Sequence, residues 1–344
     1  MGRMPSKRTF VLALAALGLV VVVTAATFLL SRDEPAEVRG ELIAYGCKEQ
    51  KNPWYGICVM RSDGTERQRL TSKLATTDPD WSPNGRQIAF TRNEDVGEST
   101  LFTSDDVFVM DSDGDDVHRL TPERPGRSSG QPTWSPDARE IVYVHGPSVS
   151  SAVPSRFGAL FLVEVDGQNA RRLTTGRADT DPDWSPDGSE IVFVRGRDLA
   201  SPTESNMDVH VLELATGKTR PLTNTPPGVF ETAPAWSPDG SRVAFARWGR
   251  TSQFTGAAKI YVVSRDGTGE ELVLAHRLFA NGPYGLAWSP DGRTIAFEMS
   301  SMIGCTAIAI TLVDTRKPRY LTKCARPIDS TVAPSWQPAV DPPD

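Results

Sequence analysis

The sequence predicts an all-β protein: a six-bladed β-propeller of four-stranded antiparallel blades, closed by its C-terminal strand and carried behind one N-terminal transmembrane helix. Three observations predict it. A Trp-Ser-Pro segment recurs along the chain, Asp-Gly turns separate short apolar strands, and an uncharged apolar run precedes the first strand.

The apolar run comes first in the chain. Phe10 to Leu30 carries no charge, follows Arg3, Lys7 and Arg8, and is followed by Arg32, Asp33 and Glu34. A helix rising about 1.5 Å per residue would span roughly 30 Å here, the thickness of a bilayer core. The basic residues ahead of it predict a cytoplasmic N-terminus and an exported remainder. Residues 1–9 are then a cytoplasmic stub, 10–30 the anchor and 31–39 a polar linker. A cleavable signal peptide is the alternative, because Val23-Thr24-Ala25 resembles a cleavage site. Both readings export the rest of the chain. The expected location is therefore the cell membrane, single-pass, with the propeller extracytoplasmic, or else secreted.

The repeats fill residues 40–338, ahead of a tail at 339–344. Trp-Ser-Pro stands at Trp81, Trp134, Trp184, Trp236 and Trp288, and Trp336-Gln337-Pro338 is a degenerate further copy, at spacings of 53, 50, 52, 52 and 48 residues. A period near fifty with four strand signals per unit is a propeller pattern. In one unit Pro182-Asp183-Trp184 is a first strand, and Ser185-Pro186-Asp187-Gly188 a turn in which Pro fixes φ and Gly accepts φ > 0. Ile191 to Val194 is the second strand, Met207 to Leu214 the third and Thr219 to Leu222 the fourth. Elsewhere Asp63-Gly64, Asp113-Gly114, Asp166-Gly167 and Asp266-Gly267 join third to fourth strands, a strong hairpin signal. Leu-Thr ends the fourth strand at Leu70, Leu120, Leu173, Leu222 and Leu321. The recurring Trp is expected to fill the space between blades.

The chain enters the repeats on a second-type strand, Leu42 to Tyr45, and leaves on a first-type strand, Ala333 to Trp336. The last strand is thus expected to complete the sheet that the first ones open, leaving no unpaired edge at the seam. The four cysteines fall beside that seam. Cys47 with Cys58, and Cys305 with Cys324, are expected to form two local disulfides in an exported protein.

Taken together, Pro-x-Trp-Ser-Pro-Asp-Gly-x-x-Ile-Ala-Phe followed by Val-Met-Asp-x-Asp-Gly and Arg-Leu-Thr resembles the TolB-type, WD40-like propeller repeat. The resemblance covers roughly residues 40–338 and is specific for fold, much less so for function. It implies no room for the α/β domain that precedes the propeller in TolB itself. Similar repeats occur in propellers fused to prolyl-oligopeptidase-like hydrolases and in many cell-surface proteins.

Strand order places the connections between second and third strands on one face, together with those between blades. Several are long: Asn93 to Asp105, His145 to Gly158, Gly196 to Asn206 and Trp248 to Ala257. Long loops on one face of a regular repeat are where binding concentrates. The channel mouth on that face is expected to be lined by Asp78, Gln131, Asp181, Glu231, Tyr284 and Asp329, the candidate ligand-binding residues. Asp78 and Asp181 lie two blades apart, which argues against a directly paired acid–base couple.

Other chemistry is excluded by pattern. The formal net charge of −6 argues against nucleic acid. Gly126-Arg127-Ser128-Ser129-Gly130 matches Gly-x-Ser-x-Gly, but that motif needs a strand–turn–helix context absent here. Asp111 to Asp116 lacks the spacing and distal Glu of a calcium loop. The four histidines, His118, His145, His210 and His276, have no metal-ligand spacing. No cofactor, metal or catalytic residue is expected. The leading functional expectation is a monomeric, membrane-anchored scaffold that binds an envelope or cell-surface protein or glycan. The alternative is a propeller hydrolase or lyase acting on envelope glycan or peptide with carboxylates at the channel mouth.

Overall fold

A computed structural model describes residues 42–47, 55–71, 75–93, 102–103, 105–124, 126–147, 149–150, 158–176, 178–197, 205–249, 258–275, 285–300, 306–322 and 333–339. The expected anchor at 10–30 lies outside them, and so do Cys305, Cys324, Tyr284 and Asp329.

Each Trp-Ser-Pro unit forms an antiparallel sheet of four strands in chain order. The Trp184 unit pairs Asp179–Trp184, Glu190–Arg197, Asn206–Glu213 and Lys218–Pro221. The Trp81, Trp134, Trp236 and Trp288 units repeat the arrangement. A parallel bridge, Met207 to Phe230, joins the Trp184 and Trp236 sheets side by side. The remaining sheet is composite: Leu42–Cys47, Gly56–Arg61 and Gln68–Arg69 are completed by Ser335–Trp336, which pairs antiparallel with Leu42–Cys47 through Ile43–Trp336 and Ala44–Ser335. The expected closure by the C-terminal strand is therefore present.

The repeated motif residues each have a local task. In Ser-Pro-Asp-Gly, the Ser185 hydroxyl donates to Asp187 at 2.7 Å and accepts the Glu190 N–H at 2.9 Å, which clamps the turn into the second strand. Bonds from Ser189 and Ser185 hold the Asp187 carboxyl well below its usual range. The Thr of Leu-Thr ends the fourth strand by accepting a third-strand N–H: Ile57 to Thr71 (2.8 Å), Val107 to Thr121, Leu160 to Thr174 and Val209 to Thr223 (each 3.0 Å), and Ile308 to Thr322 (2.9 Å). The Asp-Gly turn also packs between sheets. Gly64 has φ +89°, and a Cβ there would meet the Leu321 carbonyl oxygen at 2.8 Å.

The core is a chain of clusters, each shared by two successive sheets. Ala44 and Ile57 pack with Trp81, Phe90 and Phe108, Val142 and Leu160 with Trp184 and Phe193, and Ala244 and Ile260 with Trp288 and Phe297. The last cluster joins Ala296 and Ile308 of the Trp288 sheet to Ile43, Met60 and Trp336 of the composite sheet. The repeating Trp side chains are 3–8% exposed, as the sequence led one to expect. Each large apolar side chain removed from water in this way contributes roughly 1.5–3 kcal/mol.

Near the seam, Cys47 and Cys58 form a disulfide with their Cα atoms 5.8 Å apart. Cys47 pairs with Gly56, and Cys58 with Tyr45, so the bond crosses the hairpin diagonally. On the long-loop side, Phe102–Thr103 pairs with Val149–Ser150, a two-stranded link between connections of the Trp81 and Trp134 sheets. Residues 94–101, 151–157, 198–204 and 250–257 of the long loops lie outside the described residues.

Candidate functional site

In four of the units the first strand carries a bulge just before its Trp. In the Trp81, Trp134, Trp184 and Trp236 sheets the ladder to the second strand skips two residues there. The residue three places before Trp takes a left-handed backbone: Asp78 (φ 51°), Gln131 (53°), Asp181 (51°), Ala233 (51°) and Ala333 (24°). The next residue is Pro79, Pro132, Pro182, Pro234 or Pro334, which has no N–H to lose from the ladder. The bulge turns these short segments away from their own sheets and toward one another.

Together they line a cavity of about 260 Å³. One wall is polar: Asp78, Asp80, Gln131, Thr133, Asp181 and Asp183. The other is small and apolar: Ala233, Pro234, Ala235, Gly285, Leu286, Ala287, Ala333 and Pro334, with Trp236, Trp288 and Trp336 beside them. The asymmetry is a sequence fact. Positions three and one before Trp carry oxygen or amide side chains in three consecutive units, and Ala or Gly in the next two.

At the outer level of the polar wall, Gln131 links neighbouring units. Its Nε2 donates to Asp181 Oδ1 at 2.5 Å, and its Oε1 accepts from Thr180 Oγ1 at 2.7 Å and from the Asp181 N–H at 3.1 Å. Asp181 Oδ2 accepts the Ala233 N–H at 3.1 Å. Burial raises the Asp181 carboxyl above its usual range, and the charge of Asp78 raises it further.

Nearer the Trp, the aspartates that directly precede Trp81 and Trp184 each clip the next sheet. Asp80 Oδ2 accepts the Trp134 N–H at 2.9 Å, and Asp183 Oδ2 accepts the Trp236 N–H at 2.7 Å. Burial pushes Asp80 up to about 6. It pushes Asp183 up to about 7, with the charge of Asp80 adding to the effect. Where the clipping residue is Ala, the joint changes form. Trp288 Nε1 donates to the Ala235 carbonyl at 3.1 Å and Trp336 Nε1 to the Ala287 carbonyl at 3.0 Å. The indole N–H groups of Trp81, Trp134, Trp184 and Trp236, which come after Ser335, Asp80, Thr133 and Asp183 around the ring of sheets, are buried without a partner.

Of the expected site residues, Asp78, Gln131 and Asp181 line this cavity. Glu231 does not. It stands five residues before Trp236 rather than three, is fully buried, and accepts from Arg247 Nε (2.9 Å), the Val209 N–H (3.1 Å) and the Thr223 hydroxyl. Its counterpart Asp179 makes the same cross-strand pair with Arg195 at 2.7 Å. That register is an ion-pair position inside the sheet, not a channel position. Counting three back from Trp236 and Trp288 gives Ala233 and Gly285. Asp80, Thr133 and Asp183 also line the cavity, although they sit inside the repeat motif, read as strand residues and are not among the expected site residues.

The loop-face residues are dispersed. Asp105 accepts from Asn93 Nδ2 at 2.9 Å, and Trp248 stacks on Phe230 with ring centroids 4.7 Å apart. Ser128, at the centre of the Gly-x-Ser-x-Gly match, lies within the strand Arg127–Trp134. His145 shares a hydrogen bond of 2.9 Å with the buried Ser129, and burial lowers its pKa. Among the described residues no three His, Cys, Asp or Glu side chains converge as a metal site would require.

No protein-family model matches the chain. The fold matches solved structures of TolB from Acinetobacter baumannii (TM-score 0.66, 17% identity, 86% of this chain and 66% of that one) and of a TolB from Agrobacterium tumefaciens (TM-score 0.57, 17% identity, 82% and 88%). An oligogalacturonate lyase in complex with manganese is similar at TM-score 0.53 and 12% identity, over 77% of this chain and 70% of that one. At these identities the likeness concerns the fold: this is a TolB-like propeller. Among curated proteins, an uncharacterized peptidase of Bacillus subtilis, YuxL, is 30% identical over 101 residues, 28% of this chain and only 14% of the peptidase.

Proposed function

We propose that the chain is a six-bladed, membrane-anchored propeller that acts outside the cytoplasm as a binding scaffold for an envelope protein or glycan. The observation that carries the reading is the two-sided axial cavity. A polar wall of Asp78, Gln131 and Asp181 faces small residues and three indole-bearing positions. Such a cavity suits an inserted group with a hydrogen-bonding or cationic head and an apolar flank, and aromatic faces favour cations. The apolar run at 10–30 supports the anchor, and the Cys47–Cys58 disulfide supports an oxidising location.

A hydrolase or lyase reading draws on Asp80 and Asp183, buried carboxyls with raised proton affinity in the same cavity. Their oxygens are occupied by main-chain N–H groups of the next sheet, which favours a joint over an acid–base pair. One experiment separates the readings. The full chain, immobilised in detergent, is used to capture envelope proteins and glycans beside the triple variant Asp78→Ala, Gln131→Ala, Asp181→Ala. Binding lost in the variant supports the scaffold. Equal capture by both removes the cavity from recognition, and turnover of an envelope glycan or peptide by the wild type supports the enzyme.

A further inference from the structure

Four of the buried carboxylates in this protein each have an arginine. Asp106 pairs with Arg119 (3.5 Å), Asp179 with Arg195 (2.7 Å), Asp208 with Arg197, and Glu231 with Arg247 (2.7 Å). Such a partner is what charge held away from water ordinarily requires. The polar wall of the axial cavity departs from this. Asp80, Asp181 and Asp183 stand half-buried along it, and none of the residues that line the cavity is basic. Their hydrogen-bond donors are neutral: the main-chain N–H groups of Trp134, Ala233 and Trp236, the Gln131 amide, and the Thr180 and Ser335 hydroxyls. Burial raises all three carboxyls, and the charges of Asp78 on Asp181 and of Asp80 on Asp183 add to it. The facing wall is small and apolar, so the space beside the carboxylates is open. Trp236 lines the same cavity, is 5% exposed and has no acceptor for its indole N–H. In Trp288 and Trp336 that N–H reaches Ala235 or Ala287, the lining residue of the preceding unit, so the repeat sets the Trp236 N–H toward Asp183.

We infer that the cavity takes the guanidinium of an arginine side chain carried by a protein partner. This names the occupant of the cavity and rests on the reading of the cavity as a binding site. The wall lacks a countercharge, which a neutral glycan does not supply. A guanidinium suits it better than an ammonium: its planar fork of donors serves several carboxylate oxygens at once, and it is less strongly hydrated on entering a buried site. The apolar stem of the arginine then lies against Ala233 and Ala235, and the indoles of Trp236, Trp288 and Trp336 favour a planar cation beside them. The peptide that carries the arginine also brings carbonyl oxygens, the kind of acceptor that the Trp236 N–H lacks. Asp78, Asp80, Asp181 and Asp183 are the titratable residues that line the cavity. A bound cation favours their charged forms, so binding strengthens as pH rises through about 6 and about 7, where Asp80 and Asp183 ionise.

The test is calorimetric titration of the full chain, in detergent, with N-acetyl-arginine amide and with its neutral citrulline counterpart. The arginine compound is expected to bind at least about tenfold more tightly than the citrulline one. Its affinity should be higher at about pH 8 than at about pH 5. Asp181→Asn with Asp183→Asn keeps hydrogen-bond acceptors, removes charge, and should weaken it by about tenfold or more. The comparison of the two compounds needs no variant, so it holds even if that one fails to fold. A second arm identifies the source of the guanidinium: envelope proteins whose arginines are blocked with phenylglyoxal should be captured less than untreated ones. Equal binding of the two compounds, binding of neither, or full capture of the blocked proteins overturns the inference. If capture then still depends on Asp78, Gln131 and Asp181, the scaffold reading stands while this one falls. Capture indifferent to those residues removes both.

Discussion

Ser335 donates its hydroxyl proton to Asp80 at 3.0 Å and accepts the Trp81 N–H at 3.2 Å. Through this one side chain the last strand of the chain is tied to the sheet next to the composite one. Asp80 then passes the connection on to Trp134. Ser335→Ala leaves a buried N–H and a carboxylate each short of one partner, an omission that costs about 1–3 kcal/mol. Urea unfolding followed by tryptophan fluorescence should show a lower midpoint at unchanged slope.

Acidity bears on the same joints. The Asp80 and Asp183 carboxyls titrate at about 6 and about 7 in the fold, above the ordinary 3.8. A raised folded-state value means that the unfolded chain releases these protons first. Their stabilising contribution is complete below about pH 4 and is lost as pH rises through about 6 to 7. Asp183→Asn keeps an acceptor for the Trp236 N–H and cannot ionise. Its stability relative to wild type should therefore improve steadily between pH 4.5 and 7.5 (roughly the span of the two values). A constant difference across that range would show that Asp183 does not titrate there.

Much of this architecture is legible in the sequence because each motif residue has a local task. Thr71 and its equivalents stop the fourth strand, and Asp187 and its equivalents lock the turn. The spacing of Trp81 to Trp336 results from one sheet being laid against the next. The cavity was harder to read, because its lining depends on a two-residue bulge that no hydropathy pattern signals. Asp78 and Asp181 were visible as polar residues ahead of a Trp. Ala233, Gly285 and Ala333, equivalent by register, carry no chemistry to attract notice, and so Glu231 stood in for Ala233. The signal that finds them is the count back from each Trp.

Close backbone approach fixes one of those small residues. A Cβ on Gly285 would lie 2.2 Å from Ala333 Cα and 2.6 Å from its Cβ. Backbone cannot swing aside as a side-chain tip can. Gly285→Ala should displace the segment that leads into the closing strand and destabilise the protein by about 1–3 kcal/mol. Limited proteolysis should then cut near the C-terminus earlier than in wild type.

The disulfide stands at the other end of the same seam. Cys47 and Cys58 are 11 residues apart, and closing a loop of that size restrains the unfolded chain by roughly 2–3 kcal/mol. Cys47→Ser with Cys58→Ser should lower the thermal midpoint by that equivalent. Reductant should lower the wild type toward the variant.

Ala235 offers the sharpest test of the cavity as a binding site. It is 5% exposed, sits one residue before Trp236, and leaves open the space that Asp80 and Asp183 occupy in other units. Ala235→Leu fills part of the apolar wall and touches none of the carboxylates. The Ala235 carbonyl that holds Trp288 Nε1 is main chain and survives the change. Overpacking costs about 1–3 kcal/mol where no room exists and less beside a cavity. The variant should therefore unfold near the wild-type midpoint while its capture of envelope components falls about tenfold or more, an occlusion worth at least ~1.4 kcal/mol. Undiminished capture by a folded Ala235→Leu would place recognition on the loops instead of the axis.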